Sequence, residues 1–322
     1  MPSIDVVVPT YRRWDLTERC LDQLTAQTVP RTVVVSDDGS GDDTPARVRA
    51  RFPDAVVVES DRNRGFAAAC NAGVAAGSSE YVVLLNNDVL VRPDFLQRLV
   101  EPLAADPQVA AVAPLLLKVD EQTIDSVGLA VDPTLAGFPR HAGRPMSEAA
   151  SERPVLVGPS GGAAAYRRTA WDEAGGLDEA IFFYSEDLDL ALRLRATGWR
   201  AAAAPDSIAV HLGSQTIGER SRRSRYNAGF ARAYLLRRFR VLRTRAAAHA
   251  LAAELLVALG DAALSRDLAA ARGRMAGWRA ADGLPPKPRP PGEAVDDTIR
   301  LIESLRLRWG DVGAGQRPST RS

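Results

Sequence analysis

The first third of the chain alternates short, unbroken apolar runs with longer segments in which apolar residues recur every three or four positions. The apolar runs are rich in β-branched residues, as buried parallel strands usually are, and they cover residues 4–8, 32–36, 55–58 and 81–85. Helical spacing lies between them, in residues 14–27, 44–52 and 66–76. This alternation predicts an α/β domain with a doubly wound sheet.

Polar residues gather where the predicted strands end. Thr10 and Tyr11 follow the first strand, Asp37 follows the second, and Asn86 begins a polar run after the fourth. In doubly wound sheets, ligands bind beyond the carboxyl ends of the strands. The sequence therefore predicts a ligand site at this edge of the sheet.

The rest of the chain is patterned more weakly. Residues 109–157 carry clusters of Pro, Gly and small residues, which suggest extended structure and loops, and residues 207–210 are predicted to form a short strand that ends at His211. Beyond about Arg220 the chain is rich in Ala, Arg and Leu and is predicted to be helical. A proline-rich stretch at 283–292 predicts a stiff linker, and the C-terminal tail is expected to be disordered.

Composition excludes several classes of protein. The chain has 322 residues, of which 46% are hydrophobic, and it can bury one large core or two smaller ones. Its 41 basic residues balance 40 acidic ones, so the formal charge of +1 gives no global signature of nucleic-acid binding. Cys20 and Cys70 suggest no disulfide framework. The sequence has no signal-peptide pattern and no apolar run of the roughly 18 residues that span a bilayer, so we expect a soluble, cytoplasmic chain.

Three acids, Glu186, Asp187 and Asp189, stand within four residues at the start of a helical pattern, directly after an aromatic run. The positive end of the helix dipole favours carboxylates in the first turn. Acids in this position more often cap a helix than catalyse a reaction, so the cluster by itself favours a cap. A catalytic role gains weight only from polar groups elsewhere in the chain.

The run Asn86-Asn87-Asp88 follows an apolar strand and supplies a carboxylate and two amides. Such oxygens suit a hard divalent cation that also binds a diphosphate and keeps few protein ligands. An Asx-rich turn is the alternative. His211 is one of three histidines and also stands at a predicted strand end. A lone histidine is more often structural, but a metal held by Asp88 and a diphosphate would need another ligand.

Two further segments suggest a nucleotide. Asp37 could accept the imide N–H of uracil or thymine, whereas the later acids of the same loop suit the cap of the next helix. Arg62 and Asn63 open a helix of small residues, where arginines and amide N–H groups favour an anion. Residues 39–41 (Gly-Ser-Gly) lack the third glycine of a dinucleotide fingerprint, which weakens an oxidoreductase interpretation.

Taken in order, these segments resemble a known family. The motifs are Val8-Pro9-Thr10-Tyr11, Ser36-Asp37-Asp38-Gly39-Ser40, Asn63-x-Gly65 with Asn71-x-Gly73, Asn86-Asn87-Asp88, Gly175-Gly176-Leu177-Asp178 and Ser185-Glu186-Asp187-Leu188-Asp189-Leu190. Over about residues 4–240 the chain resembles glycosyltransferase family 2, and within it the bacterial rhamnosyltransferase-like members. Each motif is weak alone, but six in the right order are strong. Asn86 departs from the Asp-x-Asp form of many members, although Asp88 still offers a carboxylate to a metal.

The resemblance implies a GT-A fold, an α/β fold in which helices flank a Rossmann-like mixed sheet, here with a helical C-terminal extension. The catalytic domain would be 1–219, with a nucleotide-sugar half at about 1–108 and an acceptor half at about 109–219. An Arg- and Ala-rich helical extension at 220–282, the proline-rich linker at 283–292, and a terminal helix with a disordered tail at 293–322 would follow.

The resemblance also implies an inverting sugar transferase that uses a nucleotide-diphosphate sugar and Mn2+ or Mg2+. Asp187 would be the catalytic base, and Asp88 and His211 would hold the metal. The donor would be bound by Pro9, Thr10, Tyr11, Asp37, Arg62, Asn63 and Asn87. The acceptor would be bound by Gly161, Gly162, Ser185 and Glu186.

The implied partners are a donor of the dTDP or UDP type, with dTDP-rhamnose as the first choice, and a glycan or polyprenyl-diphosphate-linked acceptor in cell-envelope polysaccharide synthesis. A UDP- or GDP-sugar with a different acceptor, and a catalytically silent sugar-nucleotide-binding protein, are the alternatives. Ten arginines between 220 and 245 are interleaved with apolar residues. This pattern favours either peripheral contact with the inner face of the plasma membrane or an oligomer-forming helix, for example in a homodimer.

Overall fold

The structure, a computed structural model, describes residues 3–213 and 221–314. Its first part is the predicted alternation of strands and helices. The elements are β1 (Ile4–Thr10), α1 (Trp14–Thr25), β2 (Thr32–Asp37), α2 (Thr44–Arg51), β3 (Val56–Glu59), α3 (Phe66–Ala75) and β4 (Tyr81–Leu85). All seven predictions are confirmed to within two residues at each end. The polar residues Thr10 and Asp37 are the last residues of their strands rather than the first residues of the loops.

The middle of the chain completes the sheet. Its elements are β5 (Val89–Val91), α4 (Phe95–Ala105), β6 (Val109–Leu117), β7 (Ile124–Ser126), β8 (Leu129–Val131), β9 (Gly137–Pro139), β10 (Ala163–Arg167), α5 (Arg168–Ala174), α6 (Glu186–Ala196) and β11 (Arg200–His211). The strand predicted at 207–210 is only the end of β11. The first half of β11 is a run of alanines that pairs with β6, so it lacks the β-branched residues that would mark it as a strand.

The strands form a mixed sheet in the order β3-β2-β1-β4-β10-β6-β11-β5, and β7 pairs with the end of β6. Strands β3, β2, β1 and β4 are parallel to one another. Strand β10 is antiparallel to both of its neighbours, β4 and β6. It therefore lies in the middle of the sheet although it comes late in the sequence.

Helices cover both faces of the sheet. On one face α1 and α4 pack through residues such as Leu21 and Leu99. On the other face α3, α5 and α6 pack through Val74, Trp171 and Leu190. Because both faces are covered, β1 and β4 are buried along their whole length, which explains their unbroken apolar runs.

A helical extension follows the sheet, as predicted. Its helices are α7 (Arg222–Arg238), α8 (Ala247–Ser265), α9 (Ala269–Ala280) and α10 (Leu301–Ala314). Helices α7 and α9 touch at glycines: a Cβ atom on Gly273 would lie 2.0 Å from the backbone oxygen of Tyr226, and one on Gly277 would lie 2.0 Å from that of Phe230. Within the described ranges, α8 is the one helix whose length and composition would allow it to cross a membrane. The prediction that no apolar segment is long enough to span a bilayer is therefore wrong for this helix, whose apolar residues are interrupted by His249, Glu254 and Asp261.

The proline-rich stretch packs against the rest of the molecule. The Lys287 backbone N–H donates to the Arg238 carbonyl at 2.7 Å, and the Lys287 side chain reaches Asp178 at 2.6 Å. Farther on, Asp296 accepts the backbone N–H of Val155 at 2.9 Å. The division into domains stays a prediction, and Arg220 and the tail beyond residue 314 lie outside the described residues.

Candidate active site

A cavity of about 540 Å3 lies at the edge of the sheet where β1 and β4 end. Three segments contribute many of the residues that line it. The strand ends contribute Pro9, Thr10, Tyr11, Asn86, Asn87 and Asp88; the segment before β10 contributes Ser160, Gly161 and Gly162; and the start of α6 contributes Ser185, Glu186 and Asp187. The cavity therefore brings together most of the residues that the sequence placed in the site.

Asp187 is held by two backbone N–H groups. Gly161 donates to its Oδ2 at 2.7 Å and Leu188 donates to its Oδ1 at 2.6 Å. The preceding residues, Tyr184 and Ser185, have φ angles of 72° and 67°, a left-handed conformation that turns the chain sharply into α6. This turn places the first two acids of the helix at the cavity.

Glu186 lies beside Asp187 and is buried, and its Oε2 has no hydrogen-bond partner. Burial, and then the neighbouring charge of Asp187, raise the pKa of Glu186 well above its usual value. Burial also raises the pKa of Asp187, although the backbone N–H groups of Leu188 and Gly161 oppose that rise. The two carboxyl groups therefore share a site in which one of them keeps a proton more readily than the other.

The third acid has a different role. Asp189 is fully buried and accepts a hydrogen bond from Arg193 at 2.8 Å, one turn along α6, and another from Lys287. It does not line the cavity. Of the three acids at the start of α6, two face the cavity and the third belongs to a buried ion-pair network.

Asp88, His211 and Asp125 stand in a row. The Nε2 of His211 is 3.6 Å from Oδ1 of Asp88, and its Nδ1 is 2.8 Å from Oδ2 of Asp125. Burial alone would lower the pKa of His211, but the hydrogen bond to Asp125 and the negative charges of Asp88 and Asp125 outweigh it and raise that pKa to about 10. A carboxylate on one ring nitrogen that leaves the other nitrogen for a metal is a common arrangement around metal-binding histidines.

The oxygens at this corner fit a cation. Oδ1 of Asp88 and Oδ1 of Asn86 are both buried and accept no hydrogen bond. Within residues 3–213 and 221–308, however, no three His, Cys, Asp or Glu side chains converge closely enough to bind a metal by themselves. The corner therefore suits a Mg2+- or Mn2+-like ion that takes most of its ligands from phosphates and water.

Thr10 and Asn87 are tied to each other where β1 and β4 end at the cavity. The Asn87 amide donates to the Thr10 hydroxyl at 3.3 Å and to the Thr17 hydroxyl at 3.0 Å. These bonds fix the end of β1 against the loop after β4. Tyr11 and Asn63 also line the cavity.

Two residues predicted to bind the donor do not line the cavity. Asp37 is buried in its own loop, where it accepts the backbone N–H of Ser40 at 2.9 Å and the Ser40 hydroxyl. Arg62 has an exposed side chain, and its backbone packs so closely on Gly39 that a Cβ there would lie 2.4 Å away. Their binding roles stay predictions.

Three residues that were not predicted as site residues also line the cavity. Asp38 lines it, with its two oxygens bound to the backbone N–H groups of Arg64 and Gly65 at 2.7 and 2.8 Å. Asp125 and Arg223 also line it, and the Arg223 guanidinium lies 5.0 Å from the centre of the Phe182 ring. Asp38 was visible in the Asp-Asp-Gly-Ser motif, whereas Asp125 and Arg223 stand in segments without a motif.

The fold agrees with the comparisons with known proteins. The model of the family Glycosyl transferase family 2 matches residues 5–175, more than half of the chain. The chain therefore belongs to glycosyltransferase family 2, and it is a glycosyltransferase with the GT-A fold. Asp187 and His211 lie beyond the matched residues.

One curated relative is the N-acetylglucosaminyl-diphospho-decaprenol L-rhamnosyltransferase of Mycobacterium tuberculosis. It is 29% identical over 239 residues, which cover 67% of this chain and 78% of the relative. Among solved structures, the mannosyltransferase PcManGT from Pyrobaculum calidifontis, in complex with GDP-Man and Mn2+, superposes with a TM-score of 0.54 at 25% identity. That superposition covers 88% of this chain and 76% of the other.

A second solved structure, TarS of S. aureus in complex with UDP, superposes with a TM-score of 0.51 at 17% identity and covers 73% of this chain and 65% of the other. At that identity the likeness concerns the fold alone. The two structures carry different nucleotides, a guanosine in one and a uridine in the other, so the fold is compatible with both bases.

Proposed function

We propose that this glycosyltransferase is inverting and metal-dependent, and that it transfers a sugar from a nucleotide-diphosphate donor to an acceptor hydroxyl with Asp187 as the base. The observation that carries the proposal is the single cavity in which Asp187 faces the strand-end residues Thr10 and Asp88. A direct displacement needs the base, the acceptor and the donor sugar close together, and a carboxylate that shares one cavity with the proposed donor site meets this requirement.

In the proposed reaction, a carboxylate oxygen of Asp187 accepts the proton of the acceptor hydroxyl while the oxygen of that hydroxyl attacks the anomeric carbon of the donor sugar. The bond from this carbon to the diphosphate breaks, the diphosphate leaves with the electron pair, and the configuration is inverted. Gly161 and Leu188 hold Asp187 in position, so the base has little freedom to turn away from the acceptor. Gly161, Gly162, Ser185 and Glu186 would form the acceptor side of the cavity.

Asp88 and His211 would hold Mn2+ or Mg2+, which when bound neutralises charge on the departing diphosphate. The unpartnered Oδ1 of Asp88 supports this assignment. Asp125 would fix the orientation of the His211 ring through the bond to Nδ1. Asn86 would add a neutral oxygen in place of the carboxylate of the usual motif.

The proposed donor is dTDP-rhamnose, and a UDP-sugar is the second choice. The M. tuberculosis relative, named as an L-rhamnosyltransferase, supports the sugar. Pro9, Thr10, Tyr11 and Asn63 line the cavity where the nucleoside would bind, and Asn87 fixes Thr10 there. A GDP-sugar is the alternative that the mannosyltransferase structure favours.

The proposed acceptor is a sugar linked to a polyprenyl diphosphate, used in cell-envelope polysaccharide synthesis at the cytoplasmic face of the membrane. The support is the name of the same relative, which includes N-acetylglucosaminyl-diphospho-decaprenol. Arg223, at the cavity, offers a cation to such a diphosphate. Contact of residues 220–245 with a membrane, and a homodimer, also stay proposals.

A panel of dTDP-, UDP- and GDP-sugars, tested with and without Mn2+ for hydrolysis and for transfer to a prenyl-diphosphate sugar, tests the proposal. We expect metal-dependent turnover of one donor, and a product of inverted anomeric configuration by NMR. Binding of a nucleotide sugar with no turnover under any condition would favour the silent sugar-nucleotide-binding protein instead.

A further inference from the structure

Helix α8 exposes apolar side chains to solvent and turns its acidic side chains toward the protein. Its outer face carries Leu251, Leu255 and Leu259, which follow i, i+4 spacing and are 58%, 60% and 59% exposed. Its only two acids, Glu254 and Asp261, face inward and pair with neighbouring helices. In a helix on the surface of a globular protein the apolar stripe normally faces the core.

The inward face is fixed by ion pairs. Glu254 lies 2.7 Å from Arg232, 3.0 Å from Arg274 and 2.6 Å from Arg308. Burial would raise the pKa of Glu254, but the three arginines outweigh burial and lower that pKa far below its usual value. The helix cannot roll over to bury its leucines without separating these buried charges.

The apolar surface continues from α8 onto α9. A cavity of about 420 Å3 between α7, α8 and α9 is lined mainly by apolar side chains, among them Leu236, Leu251 and Met275. Met275 and Trp278 of α9 are 53% and 38% exposed beside it. A continuous exposed apolar area of this kind marks a surface that contacts another apolar phase or partner.

Cations surround this apolar surface. Six arginines are exposed and form no ion pair within the described residues: Arg240, Arg243, Arg245, Arg266, Arg272 and Arg279. They lie before α8, directly after it, and on α9. By contrast, the arginines of α7 that the sequence offered to a membrane are largely engaged, since Arg232 pairs with Glu254 and Arg237 pairs with Asp282.

We propose that the exposed face of α8 and α9 docks on an anionic lipid bilayer and lies in the interface without crossing it. The leucines and Trp278 would enter the acyl boundary, and the surrounding arginines would meet the lipid phosphates. Crossing would require Glu254 to leave its three arginines. A second copy of the chain is a poorer occupant, because a two-fold contact would bring two rings of unpaired arginines together.

The placement of α8 relates this surface to the cavity. The pairs Arg232–Glu254 and Arg225–Asp261 make α8 antiparallel to α7, so the end of α8 lies beside the first turn of α7. That turn carries Arg223 into the cavity of the candidate active site. If the acceptor is lipid-linked, which rests on the proposed function, docking would bring this end of the cavity to the lipid headgroups.

Vesicle flotation of the full chain tests the surface. We expect wild type to float with vesicles of phosphatidylcholine and 30% phosphatidylglycerol, more weakly with pure phosphatidylcholine, and less in high salt. The double variant Leu255→Glu/Leu259→Glu should bind at least about tenfold more weakly. Val119→Glu is the matched control, because Val119 is 66% exposed and lies far along the chain in the loop after β6; it should bind like wild type.

Wild type that ignores both vesicles at low salt, or a double variant that binds like wild type, would overturn the proposal. Light scattering tests the alternative that the face binds a second copy of the chain. If wild type is a dimer, the double variant is a monomer and neither binds vesicles, the face is a self-association surface and not a membrane surface. Both variants remain folded if their circular dichroism and melting temperature match wild type. Donor hydrolysis in buffer should be the same in wild type and in both variants. If none of the three proteins hydrolyses a donor, that result counts against the proposed function and not against this surface.

Discussion

Lys287, from the proline-rich stretch near the C-terminus, donates a hydrogen bond to Asp189, two residues after the candidate base Asp187. The same ammonium group lies 2.6 Å from Asp178 in the loop before α6. One lysine therefore joins the C-terminal extension to the loop before α6 and to the first turn of α6. The side chain is 8% exposed, so the contact is buried.

Replacement of Lys287 by Met should destabilise the protein by about 2–4 kcal/mol, because it leaves the buried Asp189 and the partly buried Asp178 without their shared cation. Chemical denaturation measures the loss. Lys118→Met is the control, since Lys118 is exposed and should contribute little. Equal stability of the two variants would show that the buried pair does not stabilise the fold.

The same lysine gives a pH dependence. Burial would raise the pKa of Asp178, but the hydrogen bond and charge of Lys287 outweigh it, so the folded-state pKa of Asp178 is lowered. A lowered folded-state pKa contributes stability at neutral pH, and that contribution is lost as the pH falls through about 4 and below. The stability difference between wild type and Lys287→Met should therefore shrink on acidification. A difference that grows with acidification would contradict this pairing.

For the base, Asp187→Asn should lower turnover by about 100-fold or more while donor binding changes little. Glu186→Gln should keep more activity, because Glu186 is the neighbour that holds its proton. Since burial raises the pKa of Asp187, turnover should begin to fall on acidification at a pH above the usual aspartate range of about 4. Near-normal turnover by Asp187→Asn would move the assignment to Glu186.

For the metal, chelation should abolish transfer, and Asp88→Ala should remove the effect of Mn2+ on donor binding. Asp125→Asn should weaken Mn2+ binding by about tenfold, because it loosens the orientation of His211. Calorimetric titration of Mn2+ in the presence of UDP measures both. Asp54→Asn, at an exposed position, is the control. Full activity after exhaustive chelation would exclude a required metal.

For the nucleotide, UDP or dTDP should raise the melting temperature more than GDP. Asp38→Asn and Asp37→Asn separate the two neighbouring acids. Asp38 lines the cavity, so its replacement should reduce the nucleotide-dependent shift, whereas Asp37 holds Ser40 and its replacement should lower the melting temperature without ligand. A shift with GDP alone would overturn the preference for a pyrimidine donor.

For the extension, Gly277→Ala should cost about 1–3 kcal/mol, because the added methyl group would meet the Phe230 backbone oxygen and force α9 away from α7. In a free helix the same change would stabilise, by up to about 1 kcal/mol. Thermal unfolding therefore distinguishes a packed from a free α9, because Gly277→Ala lowers the melting temperature in the first case and raises it in the second. Gly292→Ala, where the added atom meets open space, is the control and should be close to neutral.

Much of the fold could be predicted from the sequence because β1 and β4 are covered on both faces and therefore show unbroken apolar runs. The alanine-rich strand β10 and the alanine-rich first half of β11 contain no run of β-branched residues that would mark them as strands, although β10 lies in the centre of the sheet. Small residues fit there because α5 and α6 pack closely above them. Their strand character comes from pairing with neighbours distant in sequence, which no local pattern contains.

The site was predictable where a motif ended a strand and less so elsewhere. Thr10, Asn87 and Asp187 reach the cavity because their elements begin or end at one edge of the sheet. Asp37 ends β2 and Asp38 begins the loop, and the hydrogen bonds of that loop hold Asp37 against Ser40 while Asp38 reaches the cavity. Composition cannot tell which of the two acids reaches it. Asp125 reaches His211 only through the pairing of β7 with β6, a tertiary relationship.

The central position of β10 has a consequence for how the molecule is made. As the chain leaves the ribosome, β4 emerges long before β10, and until β10 arrives its edge has no partner on that side. Such an unpaired apolar edge invites pairing with other chains. The first 108 residues, the proposed nucleotide-sugar half, therefore leave one edge of β4 without its partner strand. Because β10 pairs with both β4 and β6, the sheet is complete only when residues from both sides of position 108 are present.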